Sequence, residues 1–200
     1  MRKTISDILG CASPNNTREP DDFYATPPEC TGALIAAEVD RLPLRVWDPC
    51  CGAGEISTVL QRHGREFVST DLIDRGYGQS GVDFLLQRTA LARAIVTNPP
   101  FKRAEAFLRH AAELGIEYVA FLHKAHWLNA ADRGVIVENV WCPAQCYLLL
   151  WRPDFKNQGS PPMDCNWYVF TCGSKTARSW TSSVLRRPTD QRQQKLVFSR

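Results

Sequence analysis

The stretch of this chain with residue types best suited to chemistry is Asn98-Pro99-Pro100-Phe101. Asn98 offers a side-chain carbonyl beside two residues that lack an N–H and have a fixed φ, so acceptors are held stiffly next to an aromatic face. Such a cluster suits a planar –NH2 group. With Asn98 and a neighbouring backbone carbonyl each accepting one amine hydrogen, and Phe101 stacked on the ring, the nitrogen lone pair points outward as a nucleophile. The same residues also read as an ordinary Asn-Pro turn after a strand, and only their context decides.

That context lies upstream. Asp48-Pro49-Cys50-Cys51-Gly52-Ala53-Gly54 joins an apolar stretch to a helical one, as in a nucleotide-type βαβ unit whose ligand sits over the carboxyl end of the strand. It is not the dinucleotide Gly-x-Gly-x-x-Gly pattern, because the third glycine is missing and an acid precedes the turn. Asp48 repels a pyrophosphate and welcomes an ammonium or a sulfonium. Asp71 follows 23 residues later at the end of another apolar stretch, where an acid accepts hydrogen bonds from ribose hydroxyls. Asp83 beside Phe84 could accept from an adenine amino group while the ring covers it. Each acid alone is more often a turn former or a helix cap. Three in order at strand ends are less easily dismissed.

The elements that must position these residues follow from periodicity. Strands are expected over 44–48, 66–71, 94–97 (counted as the fourth), 117–122, 145–151 and 166–171, with a glycine-containing loop over 76–81. The last strand follows its predecessor through a Pro- and Gly-bearing loop, 152–164, too short for a crossover helix, so it is expected antiparallel. Helices are expected over 29–39, from Ile56 to Leu60, over 102–114 and around 130–137, with Thr26 as the N-cap of the first and Pro27 and Pro28 in its opening turn.

At 200 residues and 44% hydrophobic content, the chain has the material for one domain with a full core. It contains no apolar run of membrane-spanning length and no signal-peptide core at its start, so a cytoplasmic protein is expected. Its eight Cys are scattered without a Cys-x-x-Cys pair, which argues against zinc and for reduced, buried filler. The net charge of +3 is uneven: residues 173–200 carry seven Lys or Arg against Asp190, +6 in all, leaving −3 for the rest. Such a tail suits an anionic partner such as nucleic acid, although a solvated tail has the same composition. Residues 1–22 read as a loose arm, 23–172 as one α/β domain and 173–200 as a basic tail.

Taken together, the Asp48–Gly54 turn, Asp71, Asp83-Phe84, Asn98-Pro99-Pro100-Phe101 and the lead-in Asp22-Phe23-Tyr24-Ala25-Thr26-Pro27 resemble the class I AdoMet-dependent methyltransferases that act on exocyclic amines, most of all the phage-type DNA adenine-N6 enzymes. The resemblance implies a Rossmann-like fold: a seven-stranded, mostly parallel sheet of order 3-2-1-4-5-7-6 with one antiparallel strand and helices on both faces. It implies S-adenosyl-L-methionine as cofactor, with Tyr24 and Thr26 bracketing the methionine carboxylate and Asp48 taking the amino group. Pro49, Cys50, Gly52 and Gly54 would form the cofactor turn, Asp71 and Leu72 would meet the ribose side, and Asp83 and Phe84 the adenine. Asn98 and the Pro99 carbonyl would take the target amine, beside Pro100, with Phe101 stacking on a flipped base. Many of these enzymes carry Tyr where Phe101 stands.

The family's sequence-reading members usually carry a separate recognition domain, and nothing after residue 172 is long enough to be one. Recognition then falls to the 123–141 region, the 152–165 loop and the tail, with Phe101, Lys102, Lys124, Trp127, Arg186 and Arg187 as nucleic-acid contacts, or to a partner subunit. Direct in-line displacement without metal or covalent intermediate is expected, and His123 or His126 could relay the departing proton, although a surface or capping role suits each better. The rival readings are methylation of an RNA base or a protein glutamine, and a catalytically silent nucleic-acid-binding subunit.

Overall fold

The computed structural model describes residues 23–129, 133–159 and 161–188; the expected N-terminal arm and the end of the basic tail lie outside them. Seven strands form one sheet: β1 (Arg45–Asp48), β2 (Glu66–Ser69), β3 (Ala94–Thr97), β4 (Tyr118–Lys124), β5 (Gln145–Leu149), β6 (Cys165–Thr171) and β7 (Thr181–Leu185). Their spatial order is β2-β1-β3-β4-β6-β5-β7. β6 runs antiparallel to both β4 and β5, and every other pairing is parallel.

Among the described residues, four helices cover the sheet: α1 (Pro28–Ala37), α2 (Glu55–Arg62), α3 (Ala104–Glu113) and α4 (Arg133–Asn139). The period-two alternation of buried strands sorts the core into two layers. Tyr118, Ala120 and Leu122 of β4 pack with Leu34 of α1 and Leu60 of α2. Val119 and Phe121 point the other way, into a layer with Phe107 and Leu108 of α3 and Ile136 of α4. The sheet therefore carries helices on both faces, and its strand ends are free to hold a site. Among the described residues, no helix is long and apolar enough to cross a membrane.

Three local expectations need correction. Thr26 does not cap α1: the N-cap is Pro27, without a side-chain bond. The Thr26 hydroxyl oxygen is instead engaged by Asn98 Nδ2 at 3.2 Å. Second, the described chain has no strand between β2 and β3, only a bridge between Thr70 and Gln79. Gly76, Gly78 and Gly81 all take positive φ there and turn the chain instead. The sheet's edge on that side is therefore β2, and its seventh strand is added at the opposite edge. That strand, β7, is the third correction. It lies within the stretch expected to be tail and pairs parallel with β5 in register Gln145↔Thr181 to Leu149↔Leu185. Backbone bonding carries it, since four of its five residues are exposed.

Candidate active site

The carboxyl ends of β1, β2, β3 and β4 open on one edge of the sheet. Asp48 ends β1, and Asp71 lies just beyond the end of β2; Asn98 follows β3, and His123 and Lys124 close β4. Between the glycine turn, the Asp71–Ile73 segment, Asp83 and Asn98 lies a cavity of about 440 Å³, within the range of small-molecule sites. Of the residues expected to hold a cofactor, all but Gly54 line it.

Asp48 is wholly buried. Its Oδ1 accepts from Thr97 Oγ1 (2.7 Å) and the Cys50 N–H (3.3 Å), whereas Oδ2, equally buried, has no partner. Burial pushes its pKa up to about 7, against the lowering effect of those two bonds. Thr97 escapes a reading by motif, although its place as the last residue of β3, beside β1, is the signal that could have found it.

Asp71 is the clasp of the turn: Oδ2 accepts from the Gly52 N–H (2.9 Å) and Oδ1 from the Ile73 N–H (2.9 Å). Each oxygen keeps a second lone pair for a ligand. Asp83 lines the cavity but caps the short helical turn Phe84–Leu86, accepting from the Leu85 N–H at 2.9 Å. The ring of Phe84 belongs to the core: it stacks on Phe107 at 4.7 Å and meets Trp47 edge-on at 5.2 Å. With 2% exposure, it has little face left to cover an adenine, contrary to expectation.

The absence of side chains at Gly52 and Gly54 admits two of the chain's own rings. Gly52 and Gly54 both have positive φ; a Cβ on Gly52 would lie 2.5 Å from the Phe23 ring, and one on Gly54 would lie 2.6 Å from the Tyr77 ring. The Arg75 guanidinium sits 4.1 Å from the centre of Phe23. Phe23, Arg75 and Tyr77 carry no motif signal except that Phe23 belongs to the lead-in.

Asn98 is held from the segment that precedes α1. Its Nδ2 donates to the Tyr24 carbonyl and to Thr26 Oγ1, both at 3.2 Å. Among the described residues nothing donates to its Oδ1 or to the Pro99 carbonyl, while the Pro100 carbonyl accepts from the Arg103 N–H. Phe101 stacks on Tyr24 (5.5 Å, 21° between planes) and has the Lys124 ammonium 5.1 Å from its centre.

His123, 3% exposed, braces this loop from β4. Its Nδ1 accepts from the Lys124 N–H (2.9 Å), so Nε2 carries the proton and donates to the Phe101 carbonyl (3.2 Å). Burial drives its pKa down to about 4. It is a neutral bracket with both nitrogens engaged, which removes it as a proton relay.

The expected nucleic-acid contacts gather only in part: Lys124 lies against Phe101, next to Lys102, while Trp127, Arg186 and Arg187 lie elsewhere. Trp127 is 4% exposed, packed on His123 and Tyr168, and offers no face to a base. Lys102 is exposed and lines the cavity. Arg186, just after β7, is exposed, and Arg187 pairs with Glu29 at 2.7 Å. Among the described residues, no three His, Cys, Asp or Glu side chains gather as a metal site.

No protein-family model and no curated protein matches the sequence. Solved structures do match the fold. One is a candidate class I S-adenosylmethionine-dependent methyltransferase from Listeria monocytogenes (TM-score 0.60, 11% identity, 92% of this chain and 72% of that one). The fold is that of the class I methyltransferases. A candidate RNA methyltransferase from Pyrococcus horikoshii (TM-score 0.58, 16% identity, 77% and 90% coverage) shares this methyltransferase fold. So does a modification subunit of a candidate type I restriction enzyme from Vibrio vulnificus (TM-score 0.53, 12% identity), which covers 84% of this chain but only 48% of its own.

Proposed function

We propose that the chain is an S-adenosyl-L-methionine-dependent N-methyltransferase whose acceptor is an exocyclic amine of a nucleobase, adenine N6 in DNA. The observation that carries this reading is the pairing of two unfilled valences across one cavity. At its floor, the buried Oδ2 of Asp48 lacks a donor; at its rim lies Asn98, and among the described residues nothing donates to its Oδ1 or to the carbonyl of the adjoining Pro99. A buried anionic oxygen suits the cofactor's ammonium, and a pair of neutral acceptors suits the two hydrogens of a planar amine.

The cofactor supplies an electrophilic methyl on a sulfonium. Asp48 binds and orients the ammonium, with Thr97 fixing its carboxylate. Asp71 keeps a lone pair on each oxygen toward the ribose hydroxyls while it holds the turn closed. Asn98 Oδ1 and the Pro99 carbonyl accept the two amine hydrogens. As the nitrogen becomes tetrahedral and gains positive charge, these acceptors bind it more strongly than in the ground state, which lowers the barrier. No base is needed before attack, because the proton becomes acidic only afterwards and leaves to solvent. The acceptor ring stacks on the Phe101–Tyr24 pair, with Lys124 and Lys102 bringing positive charge to the mouth for a phosphate backbone. The restriction-modification neighbour supports DNA, and the RNA methyltransferase neighbour keeps RNA as the rival acceptor.

The test is incubation with methyl-labelled cofactor and, separately, DNA, RNA and protein extract. Label is expected in DNA and should elute as N6-methyladenine after digestion. Label in protein alone overturns the nucleobase reading. Asn98→Ala is expected to lower transfer by about 10²–10³-fold while cofactor affinity persists; near-normal turnover sinks its role.

A further inference from the structure

An asparagine amide is almost the same shape after a half-turn about its last bond, but the turn exchanges an acceptor for a donor. Whatever sets that turn at Asn98 decides what the rim of the cavity can bind. Here the Tyr24 carbonyl sets it, since a carbonyl only accepts and the atom 3.2 Å from it must therefore be Nδ2. Thr26 Oγ1 accepts the second hydrogen of the same nitrogen at 3.2 Å, from a position only 4% exposed. With both hydrogens of Nδ2 spent, Oδ1 is the atom left to face a ligand.

We propose that Thr26, with the Tyr24 carbonyl, is a positioning residue that locks the Asn98 amide oxygen-outward and so makes the rim a receptor for N–H donors. This rests on the amine-methylation reading above and deepens it. Thr26 acts through Asn98 here, as an acceptor, in place of the capping role its Thr-Pro-Pro setting suggests. Its own hydroxyl hydrogen stays available to the cavity that it lines. Without the Thr26 oxygen, one Nδ2 hydrogen is left unpaired and the amide is held by the Tyr24 carbonyl alone, so it turns more freely about its last bond. Each turn away carries Oδ1 off the amine's hydrogens and weakens both the binding and the transition-state stabilisation.

Thr26→Val keeps the shape and removes the oxygen, whereas Thr26→Ser keeps it. Two readouts separate the possibilities. In asparagine-labelled protein, the Asn98 side-chain N–H signals should be slowed in hydrogen exchange in the native chain and in Thr26→Ser, and lose that protection in Thr26→Val. At saturating cofactor, the rate of methyl transfer should drop about tenfold or more in Thr26→Val and recover in Thr26→Ser. A native Asn98 amide that exchanges like a solvent-exposed one overturns the proposal without any variant. So does a Thr26→Val protein that transfers methyl at the native rate. If no polymer accepts methyl from the native protein, the amine reading fails, and the exchange measurement still decides the orientation.

Discussion

Two carboxylates are almost fully buried among the described residues, and the fold treats them in opposite ways. Glu38, just beyond α1, is 1% exposed and saturated: it accepts from Arg41 (2.7 Å) and from the hydroxyls of Tyr147 and Tyr118. Asp48, at the carboxyl end of β1, receives Thr97 and the Cys50 N–H on one oxygen and nothing on the other. Leaving a buried charge half paired is expensive, so folds close such groups unless something else completes them. Glu38 lies in the layer that cements α1 to β4 and β5, and its partners are all its own chain. Asp48 faces a cavity. Among the described residues nothing completes Asp48, and the ammonium of the proposed cofactor is a partner that would.

The largest break in that contrast should come from Asp48→Asn. Above pH 7, cofactor affinity is expected to drop by roughly 100-fold, the usual scale for removing one partner of a buried charge pair. The unliganded protein is expected to become more stable by roughly 2 kcal/mol, because a carboxylate held near pKa 7 is penalised whenever it is charged. Calorimetric titration and denaturant unfolding check the two halves. A variant that loses both affinity and stability would make Asp48 a structural residue like Glu38.

Glu38→Ala should do the reverse. Arg41 is 58% exposed and can turn to water, so the loss falls on the two tyrosine hydroxyls and the space left between them. Unfolding in urea is expected to register a decrease of about 2–3 kcal/mol, with cofactor affinity within a factor of two of the native value. Impaired binding would show that the two regions are coupled through α1, whose leading segment holds Asn98.

How much of this could be read from the chain depends on how local each cause is. Asp48, Asp71 and Asn98 were legible because each closes or follows an apolar run and precedes turn residues, so their place at one sheet edge follows from strand direction alone. The two-layer core was legible in the alternation of β4. Other features depend on partners distant in sequence. Phe84 beside Asp83 reads as a ring for a ligand until Phe107 of α3 takes its face. Trp127 reads as a loop aromatic until β6 covers it with Tyr168. β7 has hydroxyl residues and no alternation to announce it, since its pairing with β5 is made mostly by backbone, with the Thr181 hydroxyl donating to Gln145. Thr26 matched a capping pattern until Asn98, far along the chain, took its hydroxyl oxygen.

The smallest effect is also a comparison, between Asp48 and His123, whose buried environments shift their proton affinities in opposite directions. Between about pH 4.5 and 6, folded Asp48, with its pKa near 7, keeps a proton that the unfolded chain has released. Over the same range folded His123, with its pKa near 4, lacks a proton that the unfolded chain has gained. The first makes stability fall as pH rises toward 7; the second makes it rise as pH climbs from 4 to 6.5, and the two slopes cancel. Removing either group unmasks the other. Relative to the native protein, Asp48→Asn should gain stability with rising pH, and His123→Gln should lose it, each by about 1.4 kcal/mol per pH unit in that window. Urea unfolding at half-unit intervals reads both slopes. Saturating cofactor should flatten the His123→Gln slope, because an ammonium against Asp48 brings its pKa down and ends its excess proton; a slope that survives the cofactor would mean that the ligand does not sit on that oxygen.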